Sequence, residues 1–217
     1  MESPTNRNRG SVRDAYLSAA DVACTALRNA DVIAHWNDDS VLAGWSCGLL
    51  IAHIARSLLQ VEWFLDAEEP STAGIDAVTY YAALRDTDSP TSSLNVGVRQ
   101  RSQETADLGA TELARLTTAS LLALRARLPD EPSDRRLTSF GRPMLLDQYL
   151  TTRTIELCVH LDDLAESTGI PIELPLTAID IANETLVRVA RRRHGGIAIL
   201  RALTRSERDS CAALRVL

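Results

Sequence analysis

Between Tyr149 and Ala165 the chain reads as one helix whose apolar residues Leu150, Leu157, Leu161 and Leu164 recur at helical spacing. That stripe must be covered by other elements, and it carries chemistry with it. Glu156 and His160 stand four residues apart, which puts their Cβ atoms within about 5–6 Å on one face. Two readings compete. In one the pair is a capped, partly exposed ion pair; in the other the carboxylate and the imidazole share a metal ion. Taken alone, the first is preferred. His53, set among apolar neighbours on a second helical stretch, shifts the balance, because bundle metal sites are assembled from side chains on facing helices.

The remaining pattern is helical almost throughout. Residues 1–10 are polar and read as a loose tail. From Ser11, a candidate cap, Val12, Tyr16, Ala19, Ala23 and Leu27 give a first helix ending near Ala34, followed by a loop at Asn37–Ser40. Ser46 caps a second helix carrying Leu49, Leu50, His53, Ile54, Leu58, Val61 and Leu65, and Glu68-Glu69-Pro70 stops it. A short helix is expected over Ile75–Arg85, with a turn at Asp88-Ser89-Pro90. A third long helical region runs from Ser93 to Leu128, bent at Gly109, with Leu108, Leu113, Leu116, Ala119, Leu121, Leu124 and Leu128 as its stripe. Arg135 to Leu146 changes period and reads as a small hairpin around Gly141. Asp147 is the expected N-cap of the helix bearing Glu156, which ends at Gly169. Thr177–His194 and Ile197–Leu203 complete the set. The expected fold is all-α: a four-helix bundle with extra short helices and one small β-hairpin, in a single domain over 11–217.

Composition narrows the function. Apolar residues make up 45% and charged residues 24% of the 217, ordinary for a globular chain. A net charge of −6 argues against a broad nucleic-acid-binding surface. All 23 basic residues are arginine, which removes lysine Schiff-base chemistry and suggests a GC-rich bacterial genome. Cys24, Cys47, Cys158 and Cys211 are scattered without a C-x-x-C pair and fit buried thiols of a reducing cytoplasm. No apolar run approaches the ~18 residues of a membrane span, so a soluble cytoplasmic protein is expected.

Two segments resemble a known family. Gly44-Trp45-Ser46, followed by Leu50-Ile51-Ala52-His53-Ile54-Ala55-Arg56, is similar to the first signature of the mycothiol-dependent maleylpyruvate isomerase N-terminal domain, within the DinB-like superfamily. Tyr149 to Ala165 resembles the second, in which Arg, Glu, His and Asp-Leu recur at these spacings. Arg192-Arg193-His194-Gly195 with Leu200-Arg201-Ala202-Leu203 resembles the tail of actinobacterial members. The resemblance covers roughly Ser11 to Arg208. It implies a bundle holding a divalent metal, usually zinc, through His53, Glu156 and His160, with mycothiol as the thiol that the metal activates. The ligand set also leaves iron or nickel open. The family's isomerase has a second, C-terminal domain with no counterpart before Leu217. The expected activity is therefore a thiol S-transferase acting on a small electrophile, ahead of maleylpyruvate isomerisation.

Other residues carry two readings each. Asp163 either orients His160 by accepting its second N–H or is a solvated helix acid. Arg153 and Arg56 either bind an anionic group of cofactor or substrate or make structural pairs, Arg153 with Glu156 or Asp147. Trp45 and Trp63 read as packing residues, with Trp45 also a candidate for the pocket mouth. Arg191-Arg192-Arg193-His194 complements a helix C-terminus. His35 has no partner at ligand spacing, and Cys158 points away from the Glu156–His160 face. A non-catalytic metal- or small-molecule-binding bundle is the main alternative function, and a metal-dependent hydrolase ranks last. The expected partners are a small-molecule thiol and an electrophile, with a homodimer left open and neither nucleic acid nor membrane.

Overall fold

The computed structural model describes residues 4–84, 91–204 and 214–216, with side chains from Val12 onward. Its helices are α1 (Pro4–Ala26), α2 (Ala30–Ala34), α3 (Cys47–Asp66), α4 (Ala77–Ala82), α5 (Ser93–Ala106), α6 (Ala110–Arg127), α7 (Leu146–Thr168), α8 (Leu176–His194) and α9 (Gly196–Thr204). A 3-10 turn, Leu128–Asp130, and a two-stranded sheet of β1 (Arg136–Ser139) and β2 (Arg142–Leu145) separate α6 from α7. The fold is all-α with one small hairpin.

Four helices close a ring: α1 lies against α7, α7 against α3, α3 against α6, and α6 back against α1. Helix α8 covers the outer side of α1 and α7, while α5 lies across α3 and α4 bridges α7 and α8. The core joins Tyr16, Ala20 and Leu27 of α1 to Leu50, Ile54, Leu58 and Leu65 of α3. Leu113, Leu121 and Leu124 of α6 and Leu150, Leu157, Leu161 and Leu164 of α7 complete it. Helix α3 has the length and mean hydropathy of a bilayer span, yet 72% of that window is buried inside the fold. Here its apolarity reflects a central position, with neighbours on nearly every side.

Local signals explain most boundaries. Ser46, in extended backbone, accepts the Leu49 amide at 3.1 Å and starts α3 as the sequence suggests. Gly169 ends α7 in the left-handed region. Several expectations change. The first helix begins at Pro4, so Ser11 lies inside it and helical backbone enters the stretch 1–10 read as a tail; proline is pre-set for a first helical position. That helix stops at Ala26, and Asn29 caps the separate α2 by accepting the Asp31 amide. Ser93–Leu128 is two helices, since Gly109 takes φ +81°, a conformation no helix can carry through. In α6 the buried face is Leu113, Thr117, Ser120, Leu121 and Leu124, whereas Leu108 is 51% exposed. Thr117 can be buried because its hydroxyl donates to the Leu113 carbonyl at 2.8 Å. The turn expected at Asp88-Ser89-Pro90 lies outside the described residues.

Asp147 is not a cap. Its Oδ1 accepts Arg13 Nε at 2.8 Å, and the same guanidinium donates to the carbonyls of Leu128 and Glu131. Arg13 thereby ties α1 to the 3-10 turn and to the start of α7. Both partners are mostly buried, so removing the guanidinium strands a carboxylate and two carbonyls. Arg13→Met is expected to cost about 3 kcal/mol. For a chain of this size that lowers Tm by roughly 6–12 °C. Thermal unfolding should also show the double variant Arg13→Met, Asp147→Leu to be more stable than Arg13→Met alone.

Candidate metal centre

Helix α3 presents His53 and helix α7 presents Glu156 and His160 to one point. Nε2 of His53 lies 3.3 Å from Glu156 Oε2, and Nε2 of His160 lies 3.4 Å from the same oxygen. One donor atom from each residue falls within 4.8 Å of the others. The imidazoles stand nearly perpendicular, with ring centres 4.6 Å apart.

The opposite edge of each ring is held. His160 Nδ1 lies 2.9 Å from Asp163 Oδ2; an ionised carboxylate only accepts, so Nδ1 carries a proton, and loss of the second proton frees the lone pair on Nε2 for a cation. His53 Nδ1 lies 3.2 Å from the buried Ser102 hydroxyl on α5. Glu156 is oriented from its other oxygen: Oε1 accepts the Tyr81 hydroxyl at 3.1 Å and lies 4.0 Å from Arg153 Nη2. Burial opposes charge on Glu156, but hydrogen bonds from His160 and His53 and the charge of Arg153 outweigh it and hold the carboxyl well below its usual range. Burial likewise opposes charge on His160, yet Asp163 and Glu156 lift it to about 9. For His53 burial prevails and favours the neutral ring.

The donor set fits a small divalent cation. Two imidazole nitrogens and a carboxylate oxygen are ligands that zinc takes in open sites, and atoms bonded to it tetrahedrally at about 2.0–2.1 Å stand ~3.3 Å from one another. The two spacings to Glu156 Oε2, 3.3 and 3.4 Å, match that edge, and the two histidines' donor atoms lie within 4.8 Å of each other.

The centre forms the floor of a cavity of about 850 Å³ lined also by Trp45, Arg56, Tyr80, Tyr81, Arg153 and Val159. Trp45 is partly buried and meets the His53 ring edge-on at 5.6 Å. Arg56 lines the cavity but spends Nη1 on the Arg101 carbonyl and the Thr105 hydroxyl. Arg153 is 7% exposed; beyond Glu156 it reaches the Thr152 hydroxyl at 3.2 Å and lies over the Tyr149 ring. Its expected alternative partner, Asp147, is taken by Arg13.

Trp63 is not a packing residue: it is 50% exposed, beneath the Arg56 guanidinium. His35 pairs with Asp38. Cys158 is buried, and burial pushes its thiol up to about 11, which keeps it protonated. Cys24 and Cys47 are also free and buried, and Cys211 lies outside the described residues. Arg193 does more than answer a helix dipole: it donates to the carbonyls of Tyr81, Leu84 and Val216, pinning α4.

Tyr81 and Ser102 escape sequence reasoning. Both belong to stretches of weak periodicity. The available signal was for Ser102 alone, a polar residue three before Thr105 on the one buried side of α5.

The sequence matches the family described as Mycothiol maleylpyruvate isomerase N-terminal domain over residues 17–165, more than half of the chain. Among solved structures the chain is similar to a histidine-to-alanine mutant of the mycothiol-dependent maleylpyruvate isomerase. The TM-score is 0.49 at 17% identity, with 85% of this chain and 68% of that chain covered. No curated protein matches. By the extent of the family match, this chain belongs to the mycothiol maleylpyruvate isomerase N-terminal domain family.

Proposed function

We propose that this chain is a metal-dependent thiol S-transferase that joins mycothiol to a small electrophile, or a closely related thiol-dependent isomerase. The observation that carries the reading is the convergence of His53, Glu156 and His160 at the floor of a cavity open to small molecules. Family membership supports mycothiol as the thiol. The donor types and their spacing support zinc ahead of iron or nickel.

A divalent cation in this site supplies Lewis acidity beside the cavity, lowering the pKa of an incoming thiol to near neutrality. The protein's own groups position and insulate. Asp163 holds the Nδ1 proton of His160, so Nε2 keeps facing inward. Tyr81 and Arg153 occupy Oε1 of Glu156 and leave Oε2 toward the histidines. Trp45, Ile155 and Val159 present apolar wall that limits water. In transfer, the thiol sulfur bonds to the electrophilic carbon, the leaving group departs with its electron pair, and the thiol proton passes to solvent. In isomerisation the same sulfur–carbon bond forms at an activated alkene, the former double bond rotates, and the new bond then breaks.

Freshly purified protein should carry one equivalent of metal by elemental analysis. His53→Ala should weaken metal binding by more than about 100-fold, a ligand mattering more than its outer partners do. Full metal content with undiminished thiol transfer in that variant would end the proposal. Chelation should leave the helical circular dichroism in place, because Glu156 keeps Tyr81, Arg153 and both imidazoles as partners. Calorimetry should show thiol binding lost with the metal; a protein that melts on chelation and never binds thiol would instead be a structural metal bundle.

A further inference from the structure

The cavity above the three donors is also lined by Arg56, Arg99, Arg101, Arg142 and Arg153, in a chain of net charge −6. Arg153 answers Glu156. Among the described residues no carboxylate makes an ion pair with the other four, and Arg99 Nε is buried without a hydrogen-bond partner. The opposite end of the bundle behaves differently: Arg13 is paired with Asp147, Arg127 with Asp66 and Glu131, and Arg135 with Glu69. The two carboxylates that line the cavity, Glu156 and Asp163, face the histidines. Gathering like charges in a hollow is unfavourable, and burial followed by the charge of Arg101 holds Arg56 below the usual guanidinium value. A hollow with that cost, in which four arginines make no ion pair with a carboxylate among the described residues, suits an anion arriving from outside.

Arg101 is also held in place. Its guanidinium carbon lies 5.2 Å from the Phe140 ring centre, and Nη1 beds against Gly97, where a Cβ would approach to 3.2 Å. Arg56 fixes the backbone there by donating to the Arg101 carbonyl at 3.3 Å. Phe140 sits in the hairpin turn at φ +47°, next to Gly141 at φ +76°. Turns of this kind favour Asn, Asp or Gly, and a bulky residue is strained in one. The ring is half exposed, meets Phe64 edge-on at 5.8 Å and lines the cavity. An unfavourable backbone and an exposed ring are thus kept where the ring backs an arginine without a counter-charge. The adjoining lining is largely apolar, with Trp45, Tyr80, Leu94 and Val98.

We infer that Arg101, backed by Phe140 and assisted by Arg142, is the receptor for the carboxylate of the electrophilic substrate, a monoanion with an apolar or aromatic body. This names the substrate class of the site proposed above and rests on that reading. The guanidinium fork donates two parallel N–H bonds to a carboxylate. Phe140 and the apolar lining take the carbon skeleton, while Arg142, exposed on the hairpin, draws the anion inward.

Calorimetric titration of the protein as purified with cinnamate, cinnamamide and fumarate tests the inference. Cinnamate should bind at least about tenfold tighter than the uncharged amide and than fumarate, which lacks the apolar body. Arg101→Gln should remove that preference for cinnamate over cinnamamide, with helical circular dichroism and metal content unchanged, and Arg101→Lys should restore part of it. Phe140→Ala should weaken cinnamate while sparing fumarate. Equal binding of cinnamate and cinnamamide to the wild type overturns the inference even if no variant folds. So does an unaltered cinnamate affinity in folded Arg101→Gln, or tighter binding of fumarate than of cinnamate. No thiol is present and no turnover is read, so failure here leaves the metal-and-thiol reading standing. Conversely, full metal content and thiol transfer in His53→Ala would remove that reading without altering the cinnamate result.

Discussion

The carboxylate of Glu156, largely withdrawn from water, is the group whose charge the rest of the structure has to balance. Its two oxygens are divided. Oε1 takes the Tyr81 hydroxyl and faces Arg153, while Oε2 faces the imidazoles of His53 and His160. These partners arrive from α3, α4 and α7, and a second circle made of Ser102, Asp163 and Arg193 holds them in turn. An apolar bundle tolerates small slides of one helix along another, because Leu against Leu is nearly as good one position along. A withdrawn carboxylate does not, since a lost partner leaves a stranded charge.

Helix α7 joins that polar cluster to the hydrophobic core. Leu150, Leu157, Leu161 and Leu164 face inward against α1 and α3, and the turns between them lift Arg153, Glu156 and His160 toward the cavity. The part-buried donors therefore project from helices whose other faces are packed in the core, and their ring edges are pinned. The elements that line the upper cavity, α5 and the β1–β2 hairpin, belong to the long connections outside the four-helix ring. A rigid floor beneath walls built from connecting segments is the usual division between invariant chemistry and adjustable recognition.

Arginine shows how differently one residue type is used at the two ends. At the end near the 3-10 turn, guanidinium groups bind Asp and Glu and close chain ends against each other. Around the cavity they meet carbonyls, aromatic faces and open space. Nothing in the one-dimensional pattern separates the two kinds, because ion pairs such as Arg13–Asp147 join residues far apart in sequence. For the same reason Asp147 looked like a helix cap. It lies within the first turn of α7, past the cap position at Leu145, and the distant Arg13 takes its oxygen.

What the sequence determined by itself was local. Apolar spacing specified most of the helical stretches and the inward faces of α1, α3 and α7, Ser46 and Gly169 marked ends, and the break of period after Arg135 marked the hairpin. It also singled out three candidate donors, which the fold brings together: Glu156 and His160 share a helix face and His53 sits on a mostly buried helix. Tertiary structure decided which faces meet. The approach of His53 Nε2 to within 3.3 Å of Glu156 spans 103 positions, and Tyr81 reaches the same carboxylate across 75. Helical periodicity reports the orientation of a side chain about its own axis and is silent on which helix stands opposite. Contacts between elements therefore had to come from packing the whole chain, and Tyr81, Ser102 and Arg101 became visible only there.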